Sequence, residues 1–229
     1  RCRECGKTFS ELIGTVFYRS KIPLSLWLRA ILDWIVSTGS ISAAELSRRL
    51  EISHASAWKL LMKIRKELTE NNPELLSGIL ECDEAWCGKN ANQEIVFGIT
   101  DRVRKQVRFS AISNTDEKTL HAEVKKTAEP GSTLNTDGWT GYGFASIRYH
   151  HKTVNHSKSE FARGDAHTNT IERIWGMFKG IVRTIHHGIS KKYRKYYLAQ
   201  FAFRYNHEHN SNLFYSVLVK LFSPMYCLI

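Results

Sequence analysis

The sequence predicts an α/β domain, in which helices flank a mixed sheet, preceded by a small all-α domain. Helix-forming runs fill residues 24–70, and the chain-breaking stretch Asn71-Asn72-Pro73 follows them. From residue 79 onward, three β-rich runs in succession are followed by a helix, two strands and two helices. This order is typical of a mixed sheet covered by helices. We expect four segments: a basic N-terminal piece at 1–23, the all-α domain at 24–72, the α/β domain at 79–210 and a C-terminal tail at 211–229.

Three helices are predicted in the all-α domain. The first runs from about Leu24 to Ser37, the second begins after Ser42, and the third runs from Ser53 to about Leu68. Ser42 and Ser53 are expected N-caps, because a serine hydroxyl accepts a hydrogen bond from an N–H that the first helical turn leaves unpaired. The apolar face of the third helix consists of Ala57, Leu60, Leu61, Ile64 and Leu68.

The third helix also carries a basic stripe, with Lys59, Lys63 and Lys66 at positions i, i+4 and i+7. A short helix, a tight turn at 51–53 and a second helix with a basic outer face are typical of a helix-turn-helix, whose recognition helix enters the major groove of DNA. We therefore expect the three lysines to bind DNA. The alternative is a small helical bundle whose lysines are only solvated.

The α/β domain is divided into strands and helices by the period of its apolar residues. In chain order, we predict strands at 79–86, 94–101 and 106–113, a helix at 115–128, strands at 133–136 and 148–154, and helices at 168–185 and 192–206. The core stripe of the helix at 168–185 consists of Ile171, Ile174, Trp175, Phe178 and Val182.

The charge balance indicates a polyanionic partner. The 229 residues include 33 Lys and Arg but only 22 Asp and Glu, a net charge of +11. Such an excess concentrates polyanions around the protein, and nucleic acid is the commonest of them. An anionic membrane is the rival, but no segment holds the roughly 18 apolar residues that a membrane span needs. Hydrophobic residues make up 42% of the chain, which excludes disorder as its dominant state.

The motif Cys2-x-x-Cys5 has the form of half a zinc ribbon, whereas a structural zinc site needs four ligands. The chain has no second Cys-x-x-Cys, and its opening at Arg1 without Met predicts that the natural N-terminus lies upstream. We therefore expect structural Zn²⁺ only in a longer parent protein. An odd count of five cysteines favours a reducing compartment over a disulfide framework.

Three acidic residues form the candidate catalytic site. Asp83 lies within an apolar strand, where a carboxylate costs free energy unless it is paired or binds a metal. Asp137 ends the fourth strand, and strand ends are where α/β sheets gather their sites. Glu172 lies beside the core stripe of its helix, on a second stripe that continues into Lys179 and Arg183. Any one acid alone is better explained as a surface salt-bridge partner, whereas the three together favour a site.

Two-metal phosphoryl transfer is the chemistry that fits three such acids. Carboxylates hold two Mg²⁺ or Mn²⁺ ions roughly 3.5–4 Å apart, one activating water or a 3′-hydroxyl and the other stabilising the leaving oxygen. We expect Lys179 and Arg183 to grip the DNA phosphates beside the scissile bond. Glu81 shares the strand face of Asp83 and is a candidate supporting residue, while Glu84 is expected to face away.

A basic run with interleaved tyrosines extends from Lys179 towards Glu208. It is either a track for DNA phosphates, with some base stacking, or a solvated helix face. Its basic residues are Lys179, Arg183, Lys191, Lys192, Arg194, Lys195 and Arg204.

Five motifs together resemble one family, the DDE transposases of bacterial insertion sequences related to the eukaryotic Merlin elements. The motifs are ECDE at 81–84, TDGWTGY at 136–142, NHS at 155–157, HTNTIERIW at 167–175 continuing to Lys179, and FAFRYN at 201–206. The resemblance covers nearly the whole chain, including the half ribbon and the helix-turn-helix. The 34 residues between Asp137 and Glu172 also match the spacing of the wider class.

The resemblance implies an RNase-H-like catalytic domain that cuts transposon ends at terminal inverted repeats and joins them to target DNA. It places the catalytic and metal-binding triad on Asp83, Asp137 and Glu172, and a basic residue on Lys179. It implies Mg²⁺ or Mn²⁺ as cofactor and double-stranded DNA, both transposon ends and target, as partner. It also implies a homo-oligomer, at least a dimer on DNA, in the bacterial cytoplasm at the nucleoid or in a eukaryotic nucleus.

Two other functions stay open at this stage. One is a catalytically silent, domesticated DNA-binding protein derived from a transposase, which the expected loss of the natural N-terminus favours and the intact triad opposes. The other is a different RNase-H-like nuclease, against which the helix-turn-helix and the family motifs weigh.

Overall fold

The computed structural model describes residues 3–4, 6, 10–69, 74–154 and 166–222. The chain forms two compact units, a helical unit of residues 1–70 with 209–229 and a sheet unit of residues 71–208. Cys2 and Cys5, the predicted zinc half-site, lie outside the described residues. Over the described ranges, every helix is too short or too polar to cross a lipid bilayer.

The α-helices and β-strands are named here in chain order. They are α1 (Leu24–Val36), α2 (Ala43–Leu50), α3 (His54–Glu67), β1 (Ile79–Cys87), β2 (Glu94–Asp101), β3 (Gln106–Ile112), α4 (Glu117–Thr127), β4 (Thr133–Asp137), α5 (Ala145–Arg148), β5 (His150–Val154), α6 (Asn169–Ile181), α7 (Lys191–Asn206) and α8 (Leu213–Phe222).

Both predicted serine caps are present in the helical unit. Ser42 begins α2 and Ser53 begins α3, and each hydroxyl accepts a hydrogen bond from the N–H three residues later, at 3.1 and 3.2 Å. The five residues of the predicted apolar face of α3 are all buried. Met62 and Arg65 are buried as well, so α3 is covered over more of its circumference than an amphipathic helix requires.

The C-terminal segment, expected only as a tail, contains α8, which packs against α1 and α3 within the helical unit. Val217 and Leu221 are buried there, and the ring of Phe222 lies 4.5 Å from the ring of Phe17. The sequence did not reveal this helix because α8 is a ten-residue, largely apolar run, and such a run cannot be assigned by periodicity alone.

The sheet unit contains one five-stranded sheet in the order β3-β2-β1-β4-β5. The pairs β1–β2 and β2–β3 are antiparallel, whereas β4 is parallel to β1 and β5 is parallel to β4. Helices α4, α6 and α7 pack against this mixed sheet. The strand order and directions define an RNase-H-like fold, which confirms the predicted fold class.

The sheet separates two apolar cores, and β1 alternates between them. Leu80 and Cys82 enter the core on the α4 side, while Ala85 and Cys87 enter the core formed with α6 and α7. Because side chains alternate along a strand, Asp83 lies on the face of β1 that is covered by α6.

A glycine on β2 allows α6 to lie close to the sheet at this point. Gly98 pairs with Asp83 across the β1–β2 ladder. A Cβ atom at position 98 would lie 2.6 Å from Cζ2 of Trp175 and 3.1 Å from Cδ1 of Ile171, both of which belong to the predicted core stripe of α6. Only glycine leaves room for the helix at this distance.

Most element boundaries lie within two residues of the prediction, and two of the differences change the local structure. Helix α6 ends at Ile181 and continues as a π-helical turn, Val182–His186, before the left-handed residue His187 (φ 53°). The short helix α5 precedes β5, so the fifth strand begins at His150 and not at Arg148.

Candidate active site

Two of the three predicted acids lie on neighbouring parallel strands. The β1–β4 register pairs Glu81 with Asn135. When this register is continued by two residues on each strand, Asp83 is level with Asp137, and both side chains lie on the α6 side of the sheet. Asp137 is the last residue of β4, so the two carboxylates meet where the strand pairing ends.

Local hydrogen bonds orient both aspartates. Asp83 Oδ1 accepts the N–H of Glu84 at 2.9 Å, and Asp137 Oδ1 accepts the N–H of Trp139 at 3.1 Å. Both side chains are half-buried. Each bond engages one carboxylate oxygen through the backbone and so limits the rotation of the side chain.

The third acid, Glu172, lies in the first turn of α6 and is exposed. Its Oε1 accepts a hydrogen bond from Oγ1 of Thr168 at 2.7 Å, and Thr168 is the buried N-cap of the helix. The carboxylate is therefore held back towards the start of its own helix. A negative charge at this end is stabilised by the helix dipole.

The start of α6 is bound to β1 by Glu81. This carboxylate is fully buried, and its Oε2 accepts the N–H groups of Thr170 and Ile171 at 2.8 and 2.9 Å. Its Oε1 accepts a hydrogen bond from Nε of Arg102, whose Nη2 donates to the carbonyl of His167 at 2.7 Å. Glu81 thus neutralises Arg102 and caps the helix that carries Glu172.

The site is strongly negative. Burial, together with the charges of Glu84, Asp137 and Glu172, raises the pKa of Asp83 from 3.8 to about 7, although the hydrogen bond from the Glu84 N–H opposes the rise. Burial, with a smaller contribution from the charge of Asp137, raises the pKa of Glu84 to about 7, although the hydroxyl of Tyr142 donates to its Oε1 and opposes the rise. Asp83 therefore lies within electrostatic reach of both other acids.

The donor set suits a hard divalent cation, because carboxylate oxygens are the hard ligands that such ions prefer. Within residues 10–69, 74–154 and 166–222, however, no three carboxylate, imidazole or thiol groups stand close enough together to enclose a metal ion. The hydrogen bond from Thr168 holds Glu172 in its present orientation. Asp83, Asp137 and Glu172 are thus brought into one region without forming a closed coordination shell.

The predicted basic residues on α6 and beyond fall into two groups. Lys179 and Arg183 are exposed, and the charge of Lys179 acts on the thiol of Cys87 at the end of β1. Arg194, predicted as part of a DNA track, is instead only 2% exposed. Its guanidinium binds Glu94 Oε2 at 3.0 Å and the carbonyl of Asn92 at 2.6 Å. The DNA-track interpretation is therefore wrong for Arg194, which ties α7 to the β1–β2 loop.

The lysines of α3 also differ from one another. Lys59, Lys63 and Lys66 are all exposed. However, Nζ of Lys63 donates to the carbonyl of Val16 at 3.3 Å and lies 5.7 Å from the ring centre of Trp27. Lys63 therefore stabilises the helical unit itself, and its ammonium group is less available to a DNA phosphate than a simple stripe suggests.

Some residues of the site were not singled out by sequence reasoning. Arg102 and Thr168 hold the start of α6, and Tyr142 binds Glu84 on the opposite face of β1, where Glu84 was expected to lie. Tyr142 and Thr168 lie in the motifs that carried the family resemblance, which was the available signal. Arg102 has no local signal, because its partner Glu81 is 21 residues away in the chain.

A sheet of this order and these strand directions, with helices packed on it, places the protein in the RNase-H-like class. Residues 75–206 match the family model described as the ISXO2-like transposase domain. The match covers more than half of the chain, and the chain belongs to this family.

A relative and two solved structures are also similar. A protein described as an uncharacterized protein in transposable element ISH50, from Halobacterium salinarum, is 23% identical, and the match covers 89% of this chain and 76% of the relative. The integrase catalytic core domain of HTLV-2 in complex with magnesium is 12% identical, with a TM-score of 0.35 over 58% of this chain and 87% of that one.

The second structure is a simian T-cell lymphotropic virus intasome in complex with the PP2A regulatory subunit B56 gamma. It is 14% identical, with a TM-score of 0.38 over 76% of this chain and 66% of that one. TM-scores this low do not establish the fold class, which rests on the strand order and directions of this protein.

Removing the buried carboxylate of Glu81 should destabilise the sheet unit. Glu81→Ala removes the buried carboxylate that pairs with Arg102 and leaves two helix N–H groups without this acceptor, so we expect the free energy of unfolding to fall by about 3–5 kcal/mol. Glu81→Gln keeps an acceptor and should cost less. Urea unfolding measures both. Lys126→Ala is the control, because the Lys126 side chain is 70% exposed and its 3.9 Å contact with Glu123 should be worth about 0.5 kcal/mol or less. A Glu81→Ala protein as stable as this control would show that Glu81 does not hold the start of α6 on β1.

The negative site should make stability depend on pH in a defined direction. Because the pKa of Asp83 is raised to about 7 on folding, the folded state binds a proton that the unfolded state releases between about pH 4 and about pH 7. Ionised Asp83 therefore destabilises the metal-free protein above about pH 7, and this cost vanishes below about pH 4. Asp83→Asn should raise the free energy of unfolding above about pH 7 by on the order of 1–3 kcal/mol.

The measurement is urea unfolding of the wild type and the Asp83→Asn variant across this pH range without divalent metal. The gain from Asp83→Asn should shrink steadily as the pH falls. A gain that is constant with pH would show that burial and like charges do not act on this carboxyl group.

Proposed function

We propose that this protein is a DNA transposase that cuts DNA at terminal inverted repeats and joins the ends to target DNA. The catalytic residues are Asp83, Asp137 and Glu172, which would hold Mg²⁺ or Mn²⁺. The observation that carries the proposal is the negative site in which the charges of Asp137 and Glu172 both act on Asp83. Membership of a transposase family supports it.

Each of the three acids is carried by a different secondary-structure element. Asp83 is fixed in the middle of β1, Asp137 is at the end of β4, and Glu172 is on α6, whose start is held by Glu81. When bound, the divalent metal would supply an activated water or 3′-hydroxyl and stabilise the leaving oxygen. The three carboxylates would hold this metal at the edge of the sheet, and Glu172 must exchange its bond with Thr168 for this task.

The basic surface would bind the DNA backbone. Lys59 and Lys66 on α3 are proposed contacts of a helix-turn-helix, and Lys179 and Arg183 are proposed contacts beside the triad. The net charge of +11 supports this partner, because counterion release from DNA favours binding by basic proteins. A homo-oligomer of at least two chains follows from the reaction, since two transposon ends must be held together. The proposed reaction would take place at the nucleoid of a bacterium or in the nucleus of a eukaryotic cell.

One observation favours a second candidate, a catalytically silent DNA-binding protein derived from a transposase. The described residues contain no closed three-ligand metal group, and Glu172 is bound by Thr168. Such a protein would keep its DNA affinity and cleave nothing. Cleavage by the wild type, measured with its own element ends and Mg²⁺, separates the two candidates.

The variant Glu172→Gln should abolish cleavage and spare folding. Glutamine keeps the size of the side chain and an acceptor for Thr168, but removes the charge that a metal needs. We expect the cleavage rate of a terminal-repeat duplex to fall by several orders of magnitude, as happens when one member of a concerted unit is lost. DNA affinity and the unfolding midpoint should stay near the wild-type values.

Glu129→Gln is the matched control, because Glu129 is exposed on the turn before β4. It should cleave at the wild-type rate. A Glu172→Gln protein that cleaves like this control would remove Glu172 from the triad.

Two of the lysines of α3, Lys59 and Lys63, should respond differently to substitution. Lys59→Ala should lower the log–log salt dependence of DNA binding by about 0.9 per lost phosphate contact, with stability unchanged. Lys63→Ala should instead lower the free energy of unfolding by about 1 kcal/mol, since it removes the contacts with Val16 and Trp27. Fluorescence anisotropy at several salt concentrations and urea unfolding measure the two effects. Equal salt slopes for the wild type and Lys59→Ala would exclude Lys59 from the DNA interface.

A further inference from the structure

Trp139 is unusually exposed for a tryptophan next to a catalytic candidate. Its side chain is 51% exposed and lies two residues after Asp137. By contrast, Trp27, Trp34 and Trp175 are buried in the cores. Large aromatic side chains are highly buried on average, and the catalytic roles assigned above make no use of this indole ring.

The exposed ring is nevertheless held in place. Its Nε1 donates to the carbonyl of Thr115 at 3.1 Å, and its backbone N–H donates to Asp137 Oδ1 at 3.1 Å. Gly141 lies against the ring edge, because a Cβ atom there would be 2.8 Å from Nε1 of Trp139 and 2.8 Å from the carbonyl of Thr115. The indole is thus fixed in orientation while half of its surface faces solvent.

We propose that Trp139 is a stacking platform for the nucleobase adjacent to the scissile phosphate. The inference rests on the proposed function, since it takes the phosphate to lie at Asp83 and Asp137. A base is the chemical group that matches the site, because every base presents an aromatic face and a charged or aliphatic partner does not. A ring that is already fixed loses little conformational freedom on binding, which favours affinity.

The platform would act without regard to sequence. Stacking of a base on an aromatic side chain tolerates all four bases. Its role would be to hold the nucleotide beside the cut in one orientation, so that the phosphodiester group is presented to the carboxylates. The backbone bond between Trp139 and Asp137 couples the position of the ring to the position of the acid.

A protein–DNA double-mutant cycle tests the proposal. The probe is a duplex carrying the terminal inverted repeat that flanks the gene for this chain, either intact or with an abasic site at one nucleotide next to the cut. Affinities are measured by fluorescence anisotropy in the Glu172→Gln background, so that the DNA is not consumed. Trp139→Ala should weaken binding of the intact duplex by about 5- to 150-fold, the range expected for one stacked base.

On the duplex whose abasic site removes the stacked base, Trp139→Ala should have no further effect, because the partner of the ring is already gone. Trp139→Phe keeps an aromatic face and should retain most of the affinity, whereas Trp139→Leu should not. Trp86→Ala is the matched control, since Trp86 is 57% exposed on β1, and it should bind both duplexes like the parent protein.

The proposal is overturned if Trp139→Ala binds the intact duplex like the parent, or if the loss is equal on intact and abasic DNA at both nucleotides flanking the cut. Equal losses for Trp139→Ala and Trp139→Phe, with lowered unfolding midpoints, would show a structural role and overturn it as well. Failure of the proposed function gives a different result, namely a wild-type protein that does not cleave the duplex with Mg²⁺. A wild type that cleaves while the cycle shows no coupling rejects the platform alone.

Discussion

The buried carboxylate of Glu81 is the contact on which the geometry of the site depends. It joins the central strand β1 to the start of α6 through two backbone N–H groups, and it pairs with Arg102, which in turn binds the backbone of His167. A buried charge is tolerated only when all its hydrogen-bonding capacity is used, so this network fixes one relative position of strand and helix. Asp83 lies two residues further along β1, and Glu172 lies in the first turn of α6. The distance between these acids is therefore set by Glu81.

A second constraint is the close contact between α6 and the sheet at Gly98. Gly98 lets the rings and methyl groups of α6 approach the sheet, directly across the ladder from Asp83. The hydrogen bonds from Glu81 and the close contact at Gly98 together leave α6 little freedom to slide along the sheet. This arrangement buries carboxyl groups close to one another, and the burial, together with the neighbouring negative charges, raises the pKa values of Asp83 and Glu84. A site that opposes its own folding in this way is typical of function, since a divalent cation or another positive partner would relieve the repulsion.

The basic residues show how similar charges take different roles. Arg194 is buried and binds Glu94. Lys59, Lys63 and Lys179 are exposed, although Lys63 also donates to the carbonyl of Val16. An exposed cation is available to a phosphate at little cost, while a buried pair cannot be given up without leaving an unpaired charge. The excess of positive charge thus indicates a polyanionic partner, but only the exposed basic residues can contact its phosphates.

The sequence by itself determined what depends on local pattern. Alternating and helical periodicity predicted all five strands and the core stripe of α6, the serines predicted the caps of α2 and α3, and family motifs pointed to Asp83, Asp137 and Glu172. The tertiary structure decided the contacts between distant parts of the chain. Glu81 caps α6 across 89 and 90 residues, and Arg194 reaches Glu94 across 100. No local period records such pairs, because the partner of a buried charge depends on which elements the packed core brings together.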